Sequence, residues 1–181
     1  GEKRGGYRAL GEAPLFSMEY WELEQAKLKK AGAPKAFAGE VALVTGAYRN
    51  LGAVTAETLA RYGASLIIND LEKPDLAGHG QALLERLRTH DVQTAAITAD
   101  ISQSSEVERL CHQALAAFGT VDIVVNNAGP FNMDPYLVLD ERNWDLIMNV
   151  NLKAVYLTAK HLAPQMKANG WGRIVSMCAG S

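Results

Sequence analysis

The chain has 181 residues, with 48% hydrophobic and 21% charged side chains, which fits one domain and a short appendage at roughly 100–200 residues per domain. Such a composition excludes a disordered, collagen-like or cysteine-stapled polypeptide. The 18 basic and 20 acidic side chains leave a formal net charge of −2, too near neutral to draw the chain to nucleic acid or anionic lipid.

Residues 1–39 read as an N-terminal arm or linker. They open Gly-rich, and then Met18 to Lys30 form a short predicted helix, with Ser17 as its cap and Tyr20, Trp21, Leu23 and Leu28 as a broken apolar stripe. Lys27, Lys29 and Lys30 read as its solvated end, and Pro34 and Gly39 break the chain before the main domain, residues 40–181. Neither a secretory core nor an apolar run of the ~20 residues needed to span a bilayer is visible, so no membrane role is expected. Cys111 and Cys178 lie far apart without a CxxC, which predicts no disulfide framework and a reducing, cytoplasmic setting. The chain begins on Gly1 and stops at Ser181 directly after a strand-like run, so it is expected to be a segment of a longer protein.

From Glu40 onward short apolar runs alternate with longer amphipathic ones. Val41–Thr45, Ser65–Asn69, Thr94–Thr98, Val121–Val125 and Arg173–Met177 read as strands. Leu51 to Tyr62, Gly78 to His90, Ser102 to Phe118 and a long stretch from Glu141 to Ala168 carry helical spacing. Strands apolar on both faces, each separated by a helix, predict an α/β fold. It is expected to be a doubly wound, Rossmann-like parallel sheet that stops after about five strands, with its ligand crevice beyond their carboxyl ends.

The first such end holds Thr45-Gly46-Ala47-Tyr48-Arg49-Asn50-Leu51-Gly52. Glycine there lets the backbone turn tightly against a pyrophosphate, and the helix that follows offers unpaired N–H groups and a positive dipole end. Asp70 closes the second strand 18 residues after Gly52, near the ~20 expected for a carboxylate that accepts from an adenosine ribose. The alternatives are a glycine that ends a strand and an aspartate that caps a turn.

These residues resemble the short-chain dehydrogenase/reductase family over roughly residues 39–181. Gly46, Asn50 and Gly52 are similar to its TGxxxGxG cofactor loop, with Asn50 in place of the middle glycine; Asn tolerates positive φ better than most residues. Asp100-Ile101 resembles the acid that contacts adenine and its neighbour, and Asn126-Asn127-Ala128-Gly129 matches the NNAG motif. Asn149-Val150-Asn151-Leu152 is similar to the segment whose second Asn, Asn151 here, is catalytic, and Gly172-Arg173-Ile174-Val175 to the strand leading to the catalytic Ser. The resemblance implies a nicotinamide cofactor held by Gly46, Arg49, Asn50, Leu51, Gly52, Asp70, Asp100, Ile101, Asn127, Ala128 and Gly129. It implies hydride transfer on a small alcohol or carbonyl substrate, and a homo-oligomer at full length.

A carboxylate at Asp70 favours a free ribose 2′-hydroxyl and hence NAD. Arg49 is similar to the basic residue that holds the phosphate of NADP in some relatives, and otherwise reads as a solvent-facing loop residue. In the family a Tyr and a Lys four apart on a helix follow the catalytic Ser by about a dozen residues, a region beyond Ser181, so the segment alone is expected to be inactive. Tyr156 and Lys160 have that spacing but stand before the catalytic strand; Tyr156 reads as helix packing and Lys160 as surface. An ungapped match puts Ala179 at the catalytic Ser, so Ser181, two residues on, is the candidate, while Ser176 reads as a packed strand position.

His79, His90, His112 and His161 have no ligand spacing in sequence, so no metal is expected. Trp144 and Trp171 read as packing residues. Phe131, Met133 and Tyr136 follow NNAG and either line the substrate side or cover the sheet edge. Two alternatives remain: a truncated, inactive dinucleotide-binding form that acts through a partner, and the reductase part of a fused sugar aldolase/dehydrogenase, whose connector the stretch Ser17 to Leu28 resembles.

Overall fold

The computed structural model describes residues 35–130 and 136–178. The predicted arm helix, Phe131, Met133, Ala179 and Ser181 lie outside the described residues. The strands are β1 (Val41–Thr45), β2 (Ser65–Asp70), β3 (Thr94–Thr98), β4 (Ile123–Asn126) and β5 (Arg173–Ser176). The helices are α1 (Asn50–Arg61), α2 (His79–Arg88), α3 (Ser104–Phe118), α4 (Glu141–Met148) and α5 (Ala154–Ala168), with 3-10 turns at Pro74–Leu76 and Tyr136–Val138.

All five strands run parallel in the order β3-β2-β1-β4-β5, confirming the doubly wound sheet. Alternation along each strand divides the core into two layers. Val41, Leu43, Ile67 and Val124 pack with Val107, Leu110 and Ala114 of α3 and Leu157 and Leu162 of α5. Ala42, Val44, Leu66, Ile68 and Val125 face the small residues Ala53, Ala56 and Ala60 of α1 and Leu83, Leu84 and Leu87 of α2. The order reverses direction between β1 and β4, so a crevice opens at their carboxyl ends.

Four sequence expectations change. The long helix is interrupted by a π-helical turn at Asn149–Lys153, in which the Ala154 N–H reaches back to Asn149 O. Tyr156 is 60% exposed rather than packed, because α5 turns Leu157, Thr158 and Leu162 inward. Ser176 is exposed, as is all of β5, so coverage on both faces holds for the central strands only. Trp144 is 44% exposed on α4, which buries no residue. Trp171 does pack on the α1/α2 side, with Arg173 stacked over its ring at 5.1 Å. Before β1, Phe37 packs edge-on to Tyr62 and its N–H donates to Tyr62 O, so residues before Glu40 already take part in the packing.

Candidate functional site

The turn after β1 and the turn after β4 are clasped together at the crevice. The N–H groups of Asn127 and Ala128 both donate to Thr45 Oγ1 at 3.1 Å, and Asn127 Nδ2 donates back to Thr45 O and Gly46 O at 3.0 Å. Such close approach requires glycine. Gly46 has φ +61°, and a Cβ there would stand 2.8 Å from Ala128 Cα. A Cβ on Gly52 would run into the Gly46 carbonyl and stand 2.7 Å from Asn127 Nδ2. Asn50 has φ +48°, in the left-handed region that its place in the loop demands. Leu51 turns out to solvent.

No side chain caps the amino end of α1, where Arg49 is extended at φ −150°, so no side-chain cap satisfies the first-turn N–H groups beside the crevice. The end of β2 supplies charge beside them. Asp70 accepts from the Tyr48 N–H at 3.1 Å and from the Leu71 N–H at 2.8 Å, which fixes both carboxylate oxygens. Arg49 reaches away to Asp75 at 3.3 Å in an exposed ion pair of little energetic weight.

Two open clefts of about 630 and 560 Å³ flank this edge. One is walled by Tyr48, Leu71, Pro74 and Gly80, the other by Thr98, Asp100, Glu106 and Arg109. Burial pushes the Tyr48 phenol above its ordinary value; a hydrogen bond with Thr98 opposes this, and the charges of Asp70 and Glu72 add to it. Asp100 Oδ1 accepts from the Ser102 N–H at 3.0 Å, closing the turn into α3. The side chain of Ile101, next along the chain, is buried in the core layer beneath this turn.

Asn151 sits in the π turn. Its amide donates to Ile147 O at 3.0 Å and Pro130 O at 3.4 Å, holding the turn against the end of the NNAG loop. Gly129 leaves room for this side chain, since a Cβ there would stand 2.6 Å from Asn151 Oδ1 and push the amide aside. Behind the loop Thr158 Oγ1 donates to Asn126 Oδ1 at 3.0 Å, and Asn126 Nδ2 is the one buried side-chain polar atom without a partner among the described residues.

The fold therefore brings Gly46, Arg49, Asn50, Gly52, Asp70, Asn127, Ala128 and Gly129 to one edge, with Asp100 at the next strand end and Asn151 over Gly129. The sequence reading missed Thr45 and Tyr48. Thr45 opens the glycine loop and was legible as its first polar residue; Tyr48 matters through contact with Gly80, which carries no local signal. Cys111 is buried and its thiol is pushed up to about 12 by desolvation, which makes it a core residue rather than a nucleophile. No helix among the described residues is long and apolar enough to cross a membrane.

A family model described as short chain dehydrogenase matches residues 40–181, and one described as aldolase class II, second domain, matches residues 1–28. The hydroxynaphthalene reductase-like protein Arp2 of Metarhizium anisopliae is 40% identical over 146 residues, 80% of this chain and 52% of the relative. The chain thus spans about half the length of the curated relatives it matches. Among solved structures, a metagenomic short-chain oxidoreductase in complex with NADP is 30% identical at TM-score 0.74, over 80% of this chain and 64% of that one. A blue fluorescent protein from a metagenomic library, in complex with NADPH, is 29% identical at TM-score 0.72, over 77% of this chain and 56% of that one.

Proposed function

We propose, from the premise that the chain belongs to the short-chain dehydrogenase/reductase family, that it is the dinucleotide-binding part of an oxidoreductase interconverting a small alcohol and a carbonyl compound. The observation that carries this reading is the clasp of Thr45 and Gly46 on Asn127 and Ala128 at the switch point, beside the uncapped end of α1. These residues fit a nicotinamide dinucleotide: a backbone cradle kept free of Cβ atoms, N–H donors for a pyrophosphate, and a carboxylate at the ribose position. Such a group, when bound, supplies a two-electron hydride donor or acceptor.

Asn50, Leu51 and Gly52 offer the phosphate donors, Asp100 and the Ile101 backbone border the adenine, and Asn127, Ala128 and Gly129 form the floor of the crevice. Asn151 positions a water in the proton relay, and Ser181 holds the substrate oxygen.

At the ribose two charges oppose each other. Asp70 argues for NAD, whereas Arg49 and the NADP and NADPH of the two similar structures argue for NADP. Asp70 is already partly compensated by two N–H donors, and Arg49 is held only by an exposed pair, so both forms bind. Titration of the chain with NADH and NADPH, followed by their fluorescence, tests this. The two affinities fall within about tenfold, or about 1.4 kcal/mol; Asp70→Ala favours NADPH and Arg49→Ala favours NADH. No binding of either form, or a preference that neither variant moves, contradicts it.

A second reading rests on the match of residues 1–28 to an aldolase class II second domain: the dehydrogenase part is joined to an aldolase unit in one polypeptide. Class II aldolase sequence encoded in frame upstream supports it, and an unrelated upstream sequence contradicts it.

A further inference from the structure

The helices α3 and α5 pack side by side on one face of the sheet and bring together three ligand-type side chains that lie far apart in sequence. Glu108 and His112 are four residues apart on one face of α3, and His161 stands opposite on α5. Their ligand atoms all lie within 4.8 Å of one another, and the two imidazoles meet at 5.9 Å between centroids with planes 86° apart. Val107, Leu110 and Cys111 beside the first pair, and Leu162 beside His161, are buried, which anchors the helical faces that carry the three.

We propose that Glu108, His112 and His161 form a binding site for a transition-metal dication, Zn2+ being the best match, at the outer seam between α3 and α5. Two imidazoles and one carboxylate are a borderline donor set that suits zinc better than calcium or magnesium, whose preferred ligands are all oxygen. A tetrahedral zinc with bonds of about 2.0–2.1 Å needs ligand atoms about 3.4 Å apart. Glu108 and His112 are exposed and His161 half-buried, which leaves their side chains room to close from 4.8 Å toward that spacing. Water fills the fourth position. The metal ties α3 to α5, the helix that follows the π turn bearing Asn151. This site is independent of the dinucleotide crevice and does not rest on its assignment.

The test is Zn2+ titration of the apo chain by calorimetry, with thermal unfolding as a second readout and His112→Gln, His161→Gln and His79→Gln as variants. One zinc per chain is expected, and zinc at a hundred times its Kd raises Tm on the order of 5–10 °C. His112→Gln and His161→Gln each weaken binding about tenfold or more, while His79→Gln leaves it unchanged. Because the substituted histidines are not core residues, circular dichroism separates loss of a ligand from loss of fold. Failure to bind zinc below millimolar concentration, or binding that His112→Gln and His161→Gln leave intact, overturns the proposal.

Discussion

Thr45 is fully buried, and its hydroxyl oxygen serves two backbone donors from another strand's turn, one for each lone pair. Thr45→Val keeps shape and volume but leaves the Asn127 and Ala128 N–H groups without an acceptor. We expect a loss of about 1–3 kcal/mol in urea unfolding, and a drop in dinucleotide affinity because the cradle loosens, whereas Thr45→Ser retains most of both. Equal stability for the Val and Ser variants would show that the clasp carries no weight. At this scale the sequence was legible where chemistry is local. Asn50 stands where the resembling motif has glycine, and its left-handed φ is the conformation that Asn, among residues with a side chain, tolerates best. Residues whose role depends on a distant partner were not legible: Tyr48 walls a cleft because Gly80, on α2, has no Cβ to displace its ring.

The strands came out of the sequence nearly residue for residue: the buried central ones read as unbroken apolar runs, and β3 and β5, less buried, read as short apolar and β-branched runs. β4 begins at Ile123 rather than Val121: the Asp122 N–H donates to Val41 O, but the Val41 N–H donates at 2.9 Å to the Asp122 carboxylate in place of a backbone carbonyl, so the backbone ladder with β1 starts one residue later. The π turn was invisible. Apolar spacing continues on both sides of it, and one extra residue in a single turn barely alters a helical period. Yet that residue sets where Asn151 points, held at Ile147 O and Pro130 O over Gly129. Gly129→Ala places a methyl 2.6 Å from Asn151 Oδ1 and forces the amide or the NNAG turn to move. Because the atom met is the tip of an exposed side chain, the expected stability loss is small, about 1 kcal/mol or less, and the main effect is weaker dinucleotide binding as the Asn151 amide leaves Pro130 O, measured by unfolding and titration on the same variant. Dinucleotide binding equal to the parent's would mean that the hold of Asn151 on the loop does not matter to the crevice.

Across the whole molecule, the order β3-β2-β1-β4-β5 converts residues scattered over more than a hundred positions into one edge, from Gly46 to Asn151. The alternation of strands and helices made this sheet legible from the sequence. The pairing of His112 with His161 was not, since neither spacing nor composition says which helices become neighbours. The opposite end of the strands holds a further concavity, walled by Lys35, Ser65, Gln93 and Thr120, and the topology favours the carboxyl-end crevice over it for the dinucleotide. The most direct test is amide chemical-shift mapping of the isotopically labelled chain during addition of NADH or NADPH. The account predicts saturable shifts at residues 45–52, at Asp70 and Leu71, at Asp100 and Ile101, and at residues 126–129, with Asn151 following. Shifts centred instead on Lys35, Ser65, Gln93 and Thr120, or none at saturating dinucleotide, would contradict it.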